Sequence, residues 1–192
     1  MLAILVSISL FSCKQKTDYS KEISRLDSAV AVLAGAEKNL VSVDTNKLRT
    51  SFNSTKNDLQ TIMEKISKDT VKKKTAMFLT SAYKQSENII NLLNNKNFIE
   101  RAIHESQQRI NDLKHDLNAN LIEKNKSAKY LVHELNASGK IYDLATNSLE
   151  KAQSASAKLD SMQTKITFLA DSLTSLPDPS ERRGRKYQNE NK

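Results

Sequence analysis

The side chains best suited to nucleophilic or metal chemistry in this 192-residue sequence are one cysteine, Cys13, and three histidines, His104, His115 and His133. The histidines are 11 and 18 residues apart, both close to whole turns at about 100° per residue, so one continuous helix would carry all three on one face. At about 1.5 Å per residue it would also hold them roughly 16 and 27 Å apart, whereas a metal–nitrogen bond is about 2 Å long. They are therefore read as solvent-facing, with no shared ion. Asp112-x-x-His115 is a single acid-x-x-His pair, and di-iron bundles need two such pairs plus further glutamates. No Gly-rich phosphate loop, nucleophile elbow or HExxH is present. The expectation is a protein that is not an enzyme and carries no cofactor or metal.

Two cationic runs remain. Lys68 to Lys74 holds four lysines and one aspartate, and Arg182, Arg183, Arg185 and Lys186 cluster near the end. The first is expected to be a solvated helix end, with an acidic surface as the alternative contact. The second resembles a phosphate-binding patch. The formal charge is +8 with a pI near 9.5, a balance compatible with nucleic acid, anionic headgroups or acidic proteins.

Whatever positions these groups is helical. Three glycines and two prolines are few for 192 residues, and both prolines, Pro177 and Pro179, lie near the end. Sandwiches and barrels need a turn every 8–12 residues or so, and residues 1–176 lack the residues to make them. With 38% hydrophobic residues, no tryptophan and 5% aromatics, thin helix–helix seams are expected rather than a thick core.

The apolar stripes carry the helical period. Tyr19, Ile23, Leu26, Val30, Leu33 and Leu40 follow three- and four-residue steps, broken by Glu37. Gly35 and the polar Ser42–Asp44 suggest an end, with Asp44 as the next N-cap. Leu48, Phe52, Leu59, Ile62 and Ile66 repeat the pattern, with Thr55 the polar exception. Register is lost around Lys68-Asp69-Thr70, then resumes through Val71, Phe78, Ala82, Ile89 and Leu92 or Leu93. Asn94–Asn97 is expected to be a turn, with Asn97 and Glu100 as a capping box.

Ile99, Ile103, Ile110, Leu113 and Leu117 hold one register with Ser106 as a gap; the register then slips by one. In the second register, from Leu121 through Ala128 and Tyr142 to Leu173, 12 of 16 seam positions are apolar, the others being Lys124, Ser138, Ser156 and Gln163. A break is expected within this stretch. Asn118–Ser127 is one candidate; at Gly139 a tolerated glycine or kink is preferred to a hairpin.

Leu2 to Ser12 carries no charge. In a helix it would reach roughly 17 Å against a bilayer core of about 30 Å, too short to span but right for the h-region of a signal peptide. Leu10-Phe11-Ser12-Cys13 closes it with an aliphatic residue, a tolerant position, a small residue and a cysteine. This stretch resembles the lipobox of bacterial lipoproteins. No Lys or Arg precedes it, where signal peptides normally have one. The resemblance implies cleavage before Cys13 and lipidation of Cys13 by palmitate-like acyl chains. It also implies a membrane partner through that anchor and, with Lys14 following, an outer-membrane address facing the periplasm. More than one acyl chain is needed for stable anchoring.

The expected organisation is a signal peptide (1–12), a polar tether (13–17), an all-α elongated bundle or antiparallel coiled coil (18–176) and a disordered basic tail (177–192). The expected role is a lipid-anchored tether, spacer or protein-interaction scaffold, with a protein partner or homo-oligomerisation. The alternative is a periplasmic helical holdase for outer-membrane proteins. Nucleic acid is not expected to meet an exported protein. The chain also resembles, in plan, the small murein lipoprotein, whose terminal lysine is joined to peptidoglycan; Lys192 would be the matching residue.

Overall fold

The computed structural model describes residues 17–66 and 72–175. The first helix begins where Asp18 Oδ1 accepts the Ser20 N–H at 2.9 Å, a bond that holds the Asp18 carboxyl below its ordinary value. α1 (Ser20–Val41) buries Leu26, Leu33, Ala36 and Leu40. It runs through Gly35 and closes when the Ser42 N–H donates to the Lys38 carbonyl. Asp44 Oδ1 then accepts the Lys47 N–H at 2.9 Å, the N-cap geometry expected from the sequence, and opens α2 (Thr45–Ile66).

α3 (Lys73–Asn118) is one uninterrupted helix of 46 residues. This corrects the turn expected at Asn94–Asn97. Four polar residues in a row do not break a helix that has partners on its surface. Asn95 Nδ2 donates to the Asn91 carbonyl at 2.8 Å, and Lys96 pairs with Glu100 on the next turn. Glu100 is thus the partner of Lys96 and caps nothing. Leu92 and Ile99 stay on one seam, both buried.

The long C-terminal stripe breaks in the Asn118–Ser127 region, and Gly139 lies inside α4 (Lys124–Thr174). The break is a Schellman turn. The Leu121 N–H reaches back to the Asp116 carbonyl at 2.9 Å and the Asn120 N–H to the Leu117 carbonyl at 3.1 Å. Asn120 takes the left-handed conformation at φ 54°, which asparagine tolerates better than most residues. Two seam assignments change as a result. Leu121 is 68% exposed because it sits in the turn, and Ser127 rather than Ala128 is buried because α4 restarts the phase at Lys124.

α3 and α4 form a long antiparallel hairpin, and α1 and α2 lie end to end along it. Moving forward along α1 and α2, the partners on α3 run backward: Asp27 meets Lys114, Glu37 meets His104, and Leu59 meets Tyr83. Partners in the α3–α4 turn and on α4 run forward, from Tyr19–Ile122 to Thr55–Gln163. α1 and α2 pack on the hairpin but not on each other. The cross-section is therefore three helices throughout, and α4, at 51 residues, spans roughly 76 Å. The all-α elongated bundle is as the sequence indicates. Its core is a single file of Leu, Ile and Ala, with Leu26, Leu59, Ile89, Ile103, Ile110 and Leu159 among the fully enclosed side chains. Each such burial is worth about 1.5–3 kcal/mol over exposure.

Candidate functional site

The structure does not bring the histidines together. His104 and His115 lie on α3 and His133 on α4, so they do not share one helix. Each instead meets its own carboxylate. His104 Nε2 is 3.0 Å from Glu37 Oε1, His115 Nδ1 is 3.3 Å from Asp116, and His133 Nδ1 is 3.1 Å from Glu134. All three are largely solvent-exposed, as the sequence suggested. Asp112 turns toward a cleft between α3 and α4 with Arg109, Tyr130 and Glu134, and His115 does not line that cleft. Cys13, Lys68, Arg182, Arg183, Arg185, Lys186 and Lys192 lie outside the described residues. So do the 1–12 and 177–192 segments and the loss of register at Lys68–Thr70. Lys72, Lys73 and Lys74 are exposed at the start of α3.

What the structure does organise is the end of the rod at which the chain arrives. The Thr17 N–H donates to Asn120 Oδ1 at 2.9 Å. The Tyr19 hydroxyl donates to the Ile122 carbonyl at 2.9 Å, and Tyr19 is 4% exposed. Both acceptors belong to the turn between α3 and α4. Asn120 thus reverses the hairpin with its backbone and ties down the incoming chain with its side chain. In the sequence Tyr19 stands out only as a seam residue, and Asn120 carries no mark of its own. The available signal is an asparagine set between two apolar stripes at a break in register.

The polar gaps in the stripes form a second feature. Glu37, the gap in α1, faces His104. Thr55, the gap in α2, is fully buried and donates to Gln163 Oε1, itself a gap in α4, at 2.8 Å. Gln163 Nε2 turns to Asp58 Oδ2 at 3.0 Å and to the Ser54 and Thr167 hydroxyls at 3.1 Å, while Thr167 donates to Asp58 at 2.7 Å. Ser138 donates to the Leu135 carbonyl. Ser86 and Ser106 alone keep buried hydroxyls without a partner among the described residues.

Among the described residues no helix is long and apolar enough to cross a membrane. These groups can hold helices in register and fix one end of a rod. No protein-family model matches this chain, and no curated protein and no solved structure matches it either.

Proposed function

We propose that this chain is a bacterial lipoprotein, anchored in the outer membrane through acylated Cys13 and facing the periplasm, whose body is a non-catalytic spacer and protein-interaction scaffold. The observation that carries the reading is the bond from Thr17 to Asn120, which seats the start of the body at one extremity of the bundle. Cys13 is four residues ahead of Thr17, a stretch that reaches at most about 14 Å. An anchor there would hold the rod by its tip. α4 ends at Thr174, at the opposite extremity, roughly 76 Å away. A partner bound at that far end would be kept at a fixed distance from the membrane.

Membrane fractionation of wild type and Cys13→Ala tests the anchor, and affinity capture from detergent-solubilised envelopes tests the scaffold. The reading expects wild type in the outer-membrane fraction, Cys13→Ala released to the soluble fraction, and one defined protein recovered in constant ratio. The holdase alternative rests on the exposed apolar side chains Met77 and Phe168, each more than 60% exposed near the far end. Suppression of aggregation of an unfolded barrel protein at near-stoichiometric amounts would favour it over the scaffold.

A further inference from the structure

α1 and α4 run in the same direction and leave a cleft of ≈ 360 Å³ between them, in the half of the rod that begins at Thr17. Its walls run from Arg25 to Val32 on α1 and from Leu135 to Tyr142 on α4, two helical turns and about 10 Å each. Val32 is 49% exposed and Tyr142 37%, so the apolar rim stands open to solvent. Gly139 lies on the α4 wall, and a Cβ there would meet nothing within 4 Å. Glycine destabilises a helix interior relative to alanine, and no described neighbour requires it here. The missing side chain leaves room for something that approaches from outside.

The polar groups of the lining narrow what that is. The Ser28 hydroxyl donates to the Ser24 carbonyl at 3.0 Å and the Ser138 hydroxyl to the Leu135 carbonyl at 2.9 Å, each within its own helix. An extended peptide would bring backbone amides to a lining with little left to pair them. A single acyl chain would keep its outer side in water, short of the roughly 70–90% burial usual in small-molecule sites. A helix meets both conditions. Its backbone is satisfied internally, and an amphipathic one buries a stripe while its polar face stays wet. Arg25 adds a charge to the requirement. It is exposed and has no ion pair among the described residues, whereas Arg109 and Lys114 are paired with Glu134 and Asp27.

We infer that this α1–α4 cleft receives an amphipathic helix of a partner protein. An aliphatic stripe of that helix packs between Val32, Leu135 and Tyr142, its backbone passes close over Gly139, and one carboxylate pairs with Arg25. The inference rests on the scaffold reading and puts the contact on the flank of the rod.

The test is photo-crosslinking in the native envelope, with benzoylphenylalanine in place of Val32 in the full chain and the adduct mapped by mass spectrometry. A second probe replaces Phe98, which is 54% exposed on α3 and outside the cleft. The expected result is one protein joined at Val32 and not at Phe98. The joined segment should carry an apolar stripe at three- and four-residue steps with an Asp or Glu beside it. Arg25→Glu sets like charge against that acid and should cut the yield at least about 10-fold. Gly139→Leu fills the cleft at an exposed position and should do the same with helical circular dichroism unchanged. An adduct at Phe98 alone, or yields unchanged in both variants, would overturn the cleft and leave the scaffold reading standing. A Val32 adduct to acyl chains or to a second copy would also overturn it. No adduct at either probe, with nothing recovered by affinity capture, would remove the scaffold reading and the cleft together.

Discussion

Thr55 and Gln163, 108 residues apart in the chain, meet across α2 and α4 with the Thr55 hydroxyl donating to Gln163 Oε1 at 2.8 Å. Each is a polar residue at a seam position whose neighbours are apolar. A uniformly apolar seam can slide by a heptad at small cost. A buried hydroxyl that is satisfied only in one alignment penalises the slip, because Thr55 would then be desolvated without its partner. Thr55→Val should cost about 0.5–1.5 kcal/mol of unfolding free energy. Measured by urea denaturation, the cycle of Thr55→Val with Gln163→Leu should show a coupling of about 0.5–3 kcal/mol, and additive single effects would contradict the pairing.

The continuity of α3 and α4 is tested by signs rather than sizes. If Asn97 capped a helix, Asn97→Ala would cost about 1 kcal/mol. Inside a helix and exposed, as it is here, the same change replaces a poor helix former and should stabilise by a few tenths of a kcal/mol. Gly139→Ala should stabilise by about 0.4–1 kcal/mol, since a Cβ at Gly139 meets nothing within 4 Å. Thermal denaturation of the two variants reads both signs.

Asn120 combines a left-handed backbone with a side-chain bond to Thr17. Asn120→Gly should keep the turn and lose only that bond, whereas Asn120→Ala should cost about 1–2 kcal/mol more in backbone strain. Amide exchange at Thr17 should rise in both variants, and protection unchanged from wild type would contradict the tie.

Tyr83 gives a pH dependence. Partial burial raises its phenol above the ordinary value of 10.0. The folded chain therefore favours the neutral form, which alone donates to the Leu59 carbonyl. This contribution is complete below pH 10.0 and is lost as pH rises through the raised native value. Absorbance titration near 295 nm, differenced against Tyr83→Phe, should place the native Tyr83 transition above that of the unfolded chain.

Much of the fold was legible because the period of apolar residues is strong. The helix start near Asp18, the cap at Asp44 and the seam from Leu26 to Ile62 follow from local rules. The misreadings also have local causes. Asn94–Asn97 has turn composition, but the Lys96–Glu100 and Asn95–Asn91 contacts satisfy its polar groups within the helix. The slip of register near Leu117 records the real turn, yet the position of Leu121 outside the seam depends on the Schellman geometry at Asn120. The polar gaps could be counted but not paired, because joining Thr55 to Gln163 requires knowing that α2 runs parallel to α4.

We propose that the rod is held to a membrane by Cys13. Intact mass spectrometry of the mature protein, purified from its native envelope, tests it most directly. The expected result is a chain beginning at Cys13 and carrying the added mass of at least two acyl chains, removed from membranes only by detergent. A chain that retains residues 1–12, with Cys13 as a free thiol in the soluble fraction, would contradict it.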